Sequence, residues 1–201
     1  GGGSAIGILG QSIAGGGGDA GSVSNWNRFA NIPSNTPGWG IQMSVGLGRS
    51  GGDGGNAGSV TVINGYGGDT GNPHGGLVLT DGNNSAGIVA QSIGGGGGVG
   101  GTGDVSSAKS FYYDLVTTLL PLFRETKPFA NIDLDVAVGG SGGGGGNGGV
   151  VDVINGYWDE ITGIYQPGVV ITRGGNAQGV LAQSIGGGGG LAGGGALHNT
   201  G

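Results

Sequence analysis

The sequence predicts a mainly β chain of stacked, solenoid-like repeats, in which short strands alternate with glycine runs held as polyglycine II-type helices, and one short α-helix is inserted. Three observations predict it. One phrase occurs three times, as Ile8-Leu9-Gly10-Gln11-Ser12-Ile13, Ile88-Val89-Ala90-Gln91-Ser92-Ile93 and Val180-Leu181-Ala182-Gln183-Ser184-Ile185, each time running into a block of glycines. Two longer copies, beginning at Ile41 and at Ile132, can be laid side by side. Within them the aliphatic residues alternate with period two. A phrase that returns with the same polar and apolar positions marks one structural unit stacked on itself.

Order has to be argued, because 59 of the 201 residues are Gly and 6 are Pro, a composition that by itself reads as disordered or low-complexity. Against disorder, Leu, Ile, Val and Phe fall in short alternating runs that recur. Collagen is excluded, since the glycines come in blocks and not at every third position, and proline is scarce. Fixing a residue's backbone costs about 1 to 2 kcal/mol, and glycine loses more freedom than any other residue. A glycine block buries no side chain in return, so its peptide groups have to be satisfied by neighbouring segments. The competing reading is that the blocks are flexible linkers.

The chain is expected to be a single glycine-rich repeat domain over 1–201, with a partial unit at 5–24, units at about 41–103 and 132–195, and insertions at 25–40 and 104–128. The partial unit holds the first Gln-Ser-Ile strand and its glycines. In the full units, Ile41/Met43/Val45 and Ile132/Leu134/Val136 alternate as strands with one buried face, and Val60/Val62 and Val151/Val153 continue the pattern after a glycine block. Asn64-Gly65 and Asn155-Gly156 suit positive φ and are expected to begin tight turns. Leu77–Thr80 and Val169–Thr172 read as the next strands, and the Gln-Ser-Ile phrase closes each unit.

The blocks Gly94–Gly98, Gly142–Gly146 and Gly186–Gly190 make poor α-helix and gain nothing from strand face packing. What remains is the extended helix of three residues per turn, rising about 3.1 Å per residue, whose peptide groups can bond laterally. The first insertion carries Trp26, Pro33, Pro37 and Trp39. In the second, Phe111, Leu115, Leu119 and Phe123 fall four apart beside Tyr112 and Val116, which predicts an amphipathic helix from about Ser107 to Leu120, ended by Pro121. Both insertions finish with Phe-Ala-Asn-Ile, at Phe29–Ile32 and Phe129–Ile132, as insertions rejoining a shared framework would.

Chemistry is thinly represented. Charged residues are 9%, the net charge is -6, and no basic patch exists to hold a nucleic acid. Cysteine is absent, which excludes disulfides and thiolate metal sites. Gly46-Leu47-Gly48-Arg49-Ser50-Gly51 matches a dinucleotide-binding G-x-G-x-x-G, but no helix pattern follows, and the copy at Ala137 lacks the first glycine. Ser12, Ser92 and Ser184 resemble a degraded nucleophile elbow. Three equivalent serines have no use for the two unrelated histidines, His74 and His198, so stacking of Gln11, Gln91 and Gln183 with the serines as side-chain ladders or turn caps is the favoured reading. Asp19, Asp53, Asp69, Asp81 and Asp104 lack the nine-residue spacing of a calcium roll. Asn83-Asn84-Ser85 fits a glycosylation sequon, a pattern common by chance. No catalytic residue, cofactor or metal is expected.

The sequence from Ser85 to Gly98, Ser-Ala-Gly-Ile-Val-Ala-Gln-Ser-Ile followed by five glycines, together with the preceding Val-x-Val-x-Asn-Gly strand pattern, resembles the glycine-rich repeat of large bacterial autotransporter passenger proteins. The resemblance covers most of the chain outside the insertions. It implies type V secretion, location outside the cell or on the bacterial surface, and an adhesin-like, structural role; contact with the outer membrane would come only through a translocator barrel, a pattern this chain does not carry. The expected function is a non-catalytic rod or filament segment contributing to adhesion or biofilm, with self-association through strand edges and glycine peptides. The alternatives are a carbohydrate- or surface-binding module acting through Trp26, Trp39, Tyr112 and Tyr113, an ice-binding face, and, least favoured, a serine hydrolase. Deleting the insertions separates the module from the rod.

Overall fold

The alternating aliphatic runs form strands. The computed structural model describes residues 3–24, 40–66, 74–107 and 131–199. In chain order the strands are β1 (Ile6–Ile13), β2 (Val23–Ser24), β3 (Gly40–Leu47), β4 (Val60–Ile63), β5 (Gly65–Tyr66), β6 (His74–Gly75), β7 (Leu77–Asp81) and β8 (Ala86–Ile93). They continue with β9 (Gly103–Ser107), β10 (Asn131–Val138), β11 (Val151–Ile154), β12 (Gly156–Asp159), β13 (Ile164–Pro167), β14 (Val169–Arg173), β15 (Gln178–Ile185) and β16 (Gly195–Asn199). The fold is mainly β, with no helix among the described residues. The expected helix over 107–120 lies outside the described residues apart from Ser107, which ends β9. Trp26, Trp39, Tyr112 and Tyr113 also lie outside them.

Pairing follows the repeat. Where one copy's strand meets the same strand of another copy, the two run parallel with equivalent residues abreast, as in Ile88 between Ile8 and Val180, Val62 beside Val153, and Leu79 beside Ile171. Contacts divide the chain into two compact units.

The first unit comprises Gly1–Gly17, Asp53–Gly97 and Gly144–Gly189. Its parallel sheets are β1/β8/β15, β4/β11 and β7/β14, with short antiparallel pairs β5/β6 and β12/β13. Val60, Val62, Val78, Ile88 and Ala90 form its core, with Ile8, Val151, Val153 and Val170 packed against them. The period-two pattern decides which residues enter: Val62 is 6% exposed and its neighbour Ile63 54%. Burying such an aliphatic side chain contributes about 1.5 to 3 kcal/mol. Sheets approach closely where a strand carries glycine; a Cβ on Gly87 would lie 2.3 Å from Val170 Cγ1.

The second unit comprises Gly18–Gly52, Gly98–Gly143 and Gly190–Gly201, with sheets β3/β10 and β2/β9/β16. Here the framework is longer than the sequence pattern suggests. Residues 104–107, assigned above to the insertion, belong to β9 and pair with Ala196–Asn199, because the alternation continues through the buried Val105. The repeat thus reaches Asn199 in the last copy. Asn131 and Ile132 pair with Gly40 and Ile41, so the Phe129–Ile132 tetrapeptide already enters a strand. Its sequence twin Phe29–Ile32 lies outside the described residues.

Candidate functional site

The candidate site is the set of glycine tracts with the polar side chains that begin and edge them. A peptide bonding its neighbours every third residue presents three rows of groups, and each row has a distinct fate.

In the first unit one row bonds equivalent tracts of successive copies. Ala14 N donates to Ile93 O at 2.9 Å and Gly17 N to Gly96 O at 2.7 Å; Gly94 N and Gly97 N donate to Ile185 O and Gly188 O, both at 2.8 Å. A second row zigzags between the two sets of tracts: Gly187 N to Gly146 O, Gly146 N to Gly95 O, Gly95 N to Gly55 O, and Gly55 N to Gly15 O, at 2.7 to 2.9 Å. Each intermediate glycine donates through its own N and accepts through its own O, so both of its flanking peptides are engaged. The third row faces outward: Gly96, Gly144 and Asn147 are exposed, whereas Gly94, Gly95 and Gly146 are buried. The second unit repeats the arrangement within itself, Gly190 N reaching Gly143 O, Gly143 N Gly98 O, Gly98 N Gly52 O, and Gly52 N Gly18 O.

At the buried crossings of the zigzag only glycine fits, whereas at its open end a Cβ on Gly15 would meet nothing within 4 Å. A Cβ on Gly95 would stand 1.8 Å from Gly15 O, and one on Gly146 1.8 Å from Gly55 O. On the outward Gly96 the nearest atom would be Gly188 O at 3.8 Å. Side chains accordingly occupy the outward row, where their oxygens cap the peptide of the equivalent position in the next copy. Asp53 Oδ1 accepts from Gly144 N at 2.6 Å, Asn56 Oδ1 from Asn147 N at 2.8 Å and, in the second unit, Asp19 Oδ1 from Val99 N at 2.9 Å.

The three serines open the zigzag. Ser12 Oγ accepts from Gly58 N at 2.8 Å, Ser92 Oγ donates to Gly58 O at 2.8 Å and accepts from Gly149 N at 2.7 Å, and Ser184 Oγ donates to Gly149 O at 2.8 Å. The row Ser12, Gly58, Ser92, Gly149, Ser184 lies one turn before the row Gly15, Gly55, Gly95, Gly146, Gly187, with hydroxyls standing in for peptides. Ser92 is fully buried. Beside it on the outer face, Gln11 Nε2 donates to Gln91 Oε1 at 2.6 Å and Gln91 Nε2 to Gln183 Oε1 at 2.7 Å.

Asn64 and Asn155 do not make the tight turns expected of them. Neither has positive φ; among the described non-glycine residues that conformation belongs to Asn84 and Asn176, in the turns before β8 and β15, while of the two following glycines Gly156 adopts it, at φ 147°. The chain instead leaves β4 and β11 on excursions, β5–β6 and β12–β13, and each Asn closes the neck. Asn64 Nδ2 donates to Gly76 O at 3.2 Å while Gly76 N donates to Asn64 O at 3.0 Å; Asn155 binds Gly168 the same way, at 2.8 and 3.0 Å. Asn64 Nδ2 also donates to Asn155 Oδ1 at 2.7 Å. Gly65 starts β5, where a Cβ would meet the Gly156 peptide at 2.6 Å.

Comparison with protein-family models, with curated proteins and with solved structures yields no match.

Charge contributes little. Arg173 and Asp81 stand 3.9 Å apart with both side chains exposed, a pair worth about 0 to 1 kcal/mol. Asp159 caps the β12–β13 turn: the Thr162 hydroxyl donates to it and Ile161 N reaches Oδ1 at 3.0 Å. The Thr162 bond, with help from the turn's peptides, holds its carboxyl below the ordinary value. No three His, Asp or Glu side chains among the described residues gather as metal ligands. His74 lies in β6 opposite Tyr66, and His198 in β16 opposite Ser106.

Proposed function

We propose that this chain is a non-catalytic structural segment, a stave of a surface-displayed rod or filament of the autotransporter-passenger kind, whose glycine tracts are polyglycine II-type helices in a solenoid-like stack. The observation that carries the reading is the peptide zigzag crossing five tracts and recurring every three residues. Each added copy extends every parallel sheet by one strand and every zigzag by two bonds, so the repeat lengthens in one direction without closing. The serine hydroxyls support a structural role, because Ser92 spends its proton and a lone pair on peptides of two tracts. Such a stave is stiff without a large apolar core, which suits a passenger that holds a cell away from a surface and contributes to adhesion or biofilm.

Amide hydrogen exchange tests the physical half: slow exchange is expected at Gly95, Gly98, Gly143 and Gly146, and coil-like rates there would end the reading. For the biological half, the chain displayed on a non-adherent bacterium is expected to raise attachment, and a chain with Gly95→Val is expected not to. Attachment that survives Gly95→Val but disappears on removing residues 108–130 would assign adhesion to the insertion and not to the stave.

A further inference from the structure

The first unit has three parallel sheets, and the alternation that turns one face of each inward turns the other toward solvent. On β1/β8/β15 the outer face carries the glutamine ladder, and on β4/β11 it carries Thr61 beside Asp152. The outer face of β7/β14 is different. It presents Leu77 beside Val169, then Leu79 beside Ile171, then Asp81 beside Arg173. The four aliphatic side chains are 38 to 69% exposed, a contiguous block unlike the singly scattered apolar residues of an ordinary surface. The block lies along the side of the stack, since β7 and β14 pair within the sheet, so further repeats would lengthen it without covering it.

Its rim is charged in a self-complementary way. Arg173 is the one Lys or Arg in the sequence of the first unit, and it stands abreast of Asp81. Two copies laid face to face about an axis along the strands bring β7 of each over β14 of the other. Leu77 then covers Val169, Leu79 covers Ile171, and each Asp81 meets the Arg173 of the second copy across the spacing of about 10 Å usual for stacked sheets. An axis across the strands fails on charge. It lays Asp81 on Asp81 and Arg173 on Arg173, or sets both charges on the aliphatic block, and either is unfavourable. A wholly apolar occupant would leave the rim pair unmatched.

We propose that the outer face of β7/β14 is a lateral pairing face, taken by the same face of a second copy of this chain, with the strands of the two running parallel and each Asp81 set against the other copy's Arg173. Two five-residue strands make a smaller face than the roughly 1,000 Å² that a stable interface needs. Pairing is therefore weak between single chains and firm when many are displayed together. The inference adds a partner and a surface to the stave reading, and it rests on the β7/β14 pairing.

Beads coated densely with the 201-residue chain test it at low ionic strength, where exposed charges are least screened. The beads are expected to cluster, to stay apart when the chain carries Leu79→Lys, and to cluster still with Ile161→Lys, which alters the 93% exposed tip between β12 and β13. Asp81→Arg beads and Arg173→Asp beads are each expected to stay apart alone and to cluster when mixed. No clustering of the unaltered chain, clustering undiminished by Leu79→Lys, or single charge variants that cluster as readily as their mixture overturns the face. Amide exchange at the buried Val78 reports whether each variant is folded; should Leu79→Lys not fold, the charge variants decide. Chains that float with phosphatidylcholine vesicles instead of clustering, and lose this with Leu79→Lys, would give the face to a lipid surface and overturn the pairing. Slow exchange at Gly95 and Gly146 without clustering removes the pairing and leaves the stave standing, whereas clustering with fast exchange at those glycines does the reverse.

Discussion

Between Val60 and Ile63 burial changes at every residue, Val60 and Val62 inside, Thr61 and Ile63 outside; between Gly94 and Gly103 the exposed positions are Gly96, Val99 and Thr102, every third one. The first rhythm belongs to side chains and is stabilised by removing methyl groups from water. The second belongs to peptides and is stabilised by completing hydrogen bonds that a buried backbone could not leave unmade. The serine row joins the two, since Ser12, Ser92 and Ser184 sit on the strands β1, β8 and β15 yet bond Gly58 and Gly149 as a peptide would. The difference teaches that the two regions fail in different ways: a strand loses stability when a side chain is removed, a glycine tract when one is added.

Four experiments sharpen that contrast. Gly95→Ala places a methyl on the Gly15 carbonyl and is expected to cost on the order of 4 kcal/mol or to abolish folding, whereas Gly96→Ala, one residue away on the outward row, is expected to stay within about 0.5 kcal/mol; urea unfolding of the pair measures both, and equal effects would break the three-row description. Ile88→Ala, at the fully buried centre of β8, is expected to cost about 3 kcal/mol. Ser92→Ala leaves Gly58 O and Gly149 N without their hydroxyl partner and is expected to cost about 2 kcal/mol, with faster amide exchange at Gly149; an unchanged exchange rate would detach the serines from the lattice. Asp159 gives the smallest effect. Its carboxyl is held below the ordinary 3.8, so the stabilisation is fully present above that value and is lost as pH falls through the lower folded value. The Ile161 amide is expected to exchange faster, relative to the intrinsic rate, through that acid window, and Asp159→Asn to remove the pH dependence.

Much of the strand framework was legible in the residues. The alternation in Val60/Val62 and Val151/Val153, and the match of Leu77–Thr80 to Val169–Thr172, are local patterns, and the parallel registers place those very residues abreast. The Asn-Gly corners misled because Asn favours turns through its short side chain. In place, that side chain finds the Gly76 and Gly168 peptides twelve or thirteen residues on, a partner no local rule supplies. The limit of the insertion at 104 misled for a related reason: Asp104 and the two serines after Val105 dilute the apolar signal, while the pairing partner that keeps them in β9 lies in Ala196–Asn199.

What the sequence determined by itself is periodicity: a repeat, a two-residue rhythm where valine and isoleucine alternate, and tracts in which glycine had to satisfy its peptides elsewhere. What only the tertiary structure decided is which peptide meets which, that Gly95 lies between Gly55 and Gly146, and that Ser92 bridges Gly58 and Gly149. The physical reason is that an aliphatic side chain announces its burial in its own chemistry, whereas a glycine's partner is another identical peptide, and among identical peptides only the folded arrangement makes the choice.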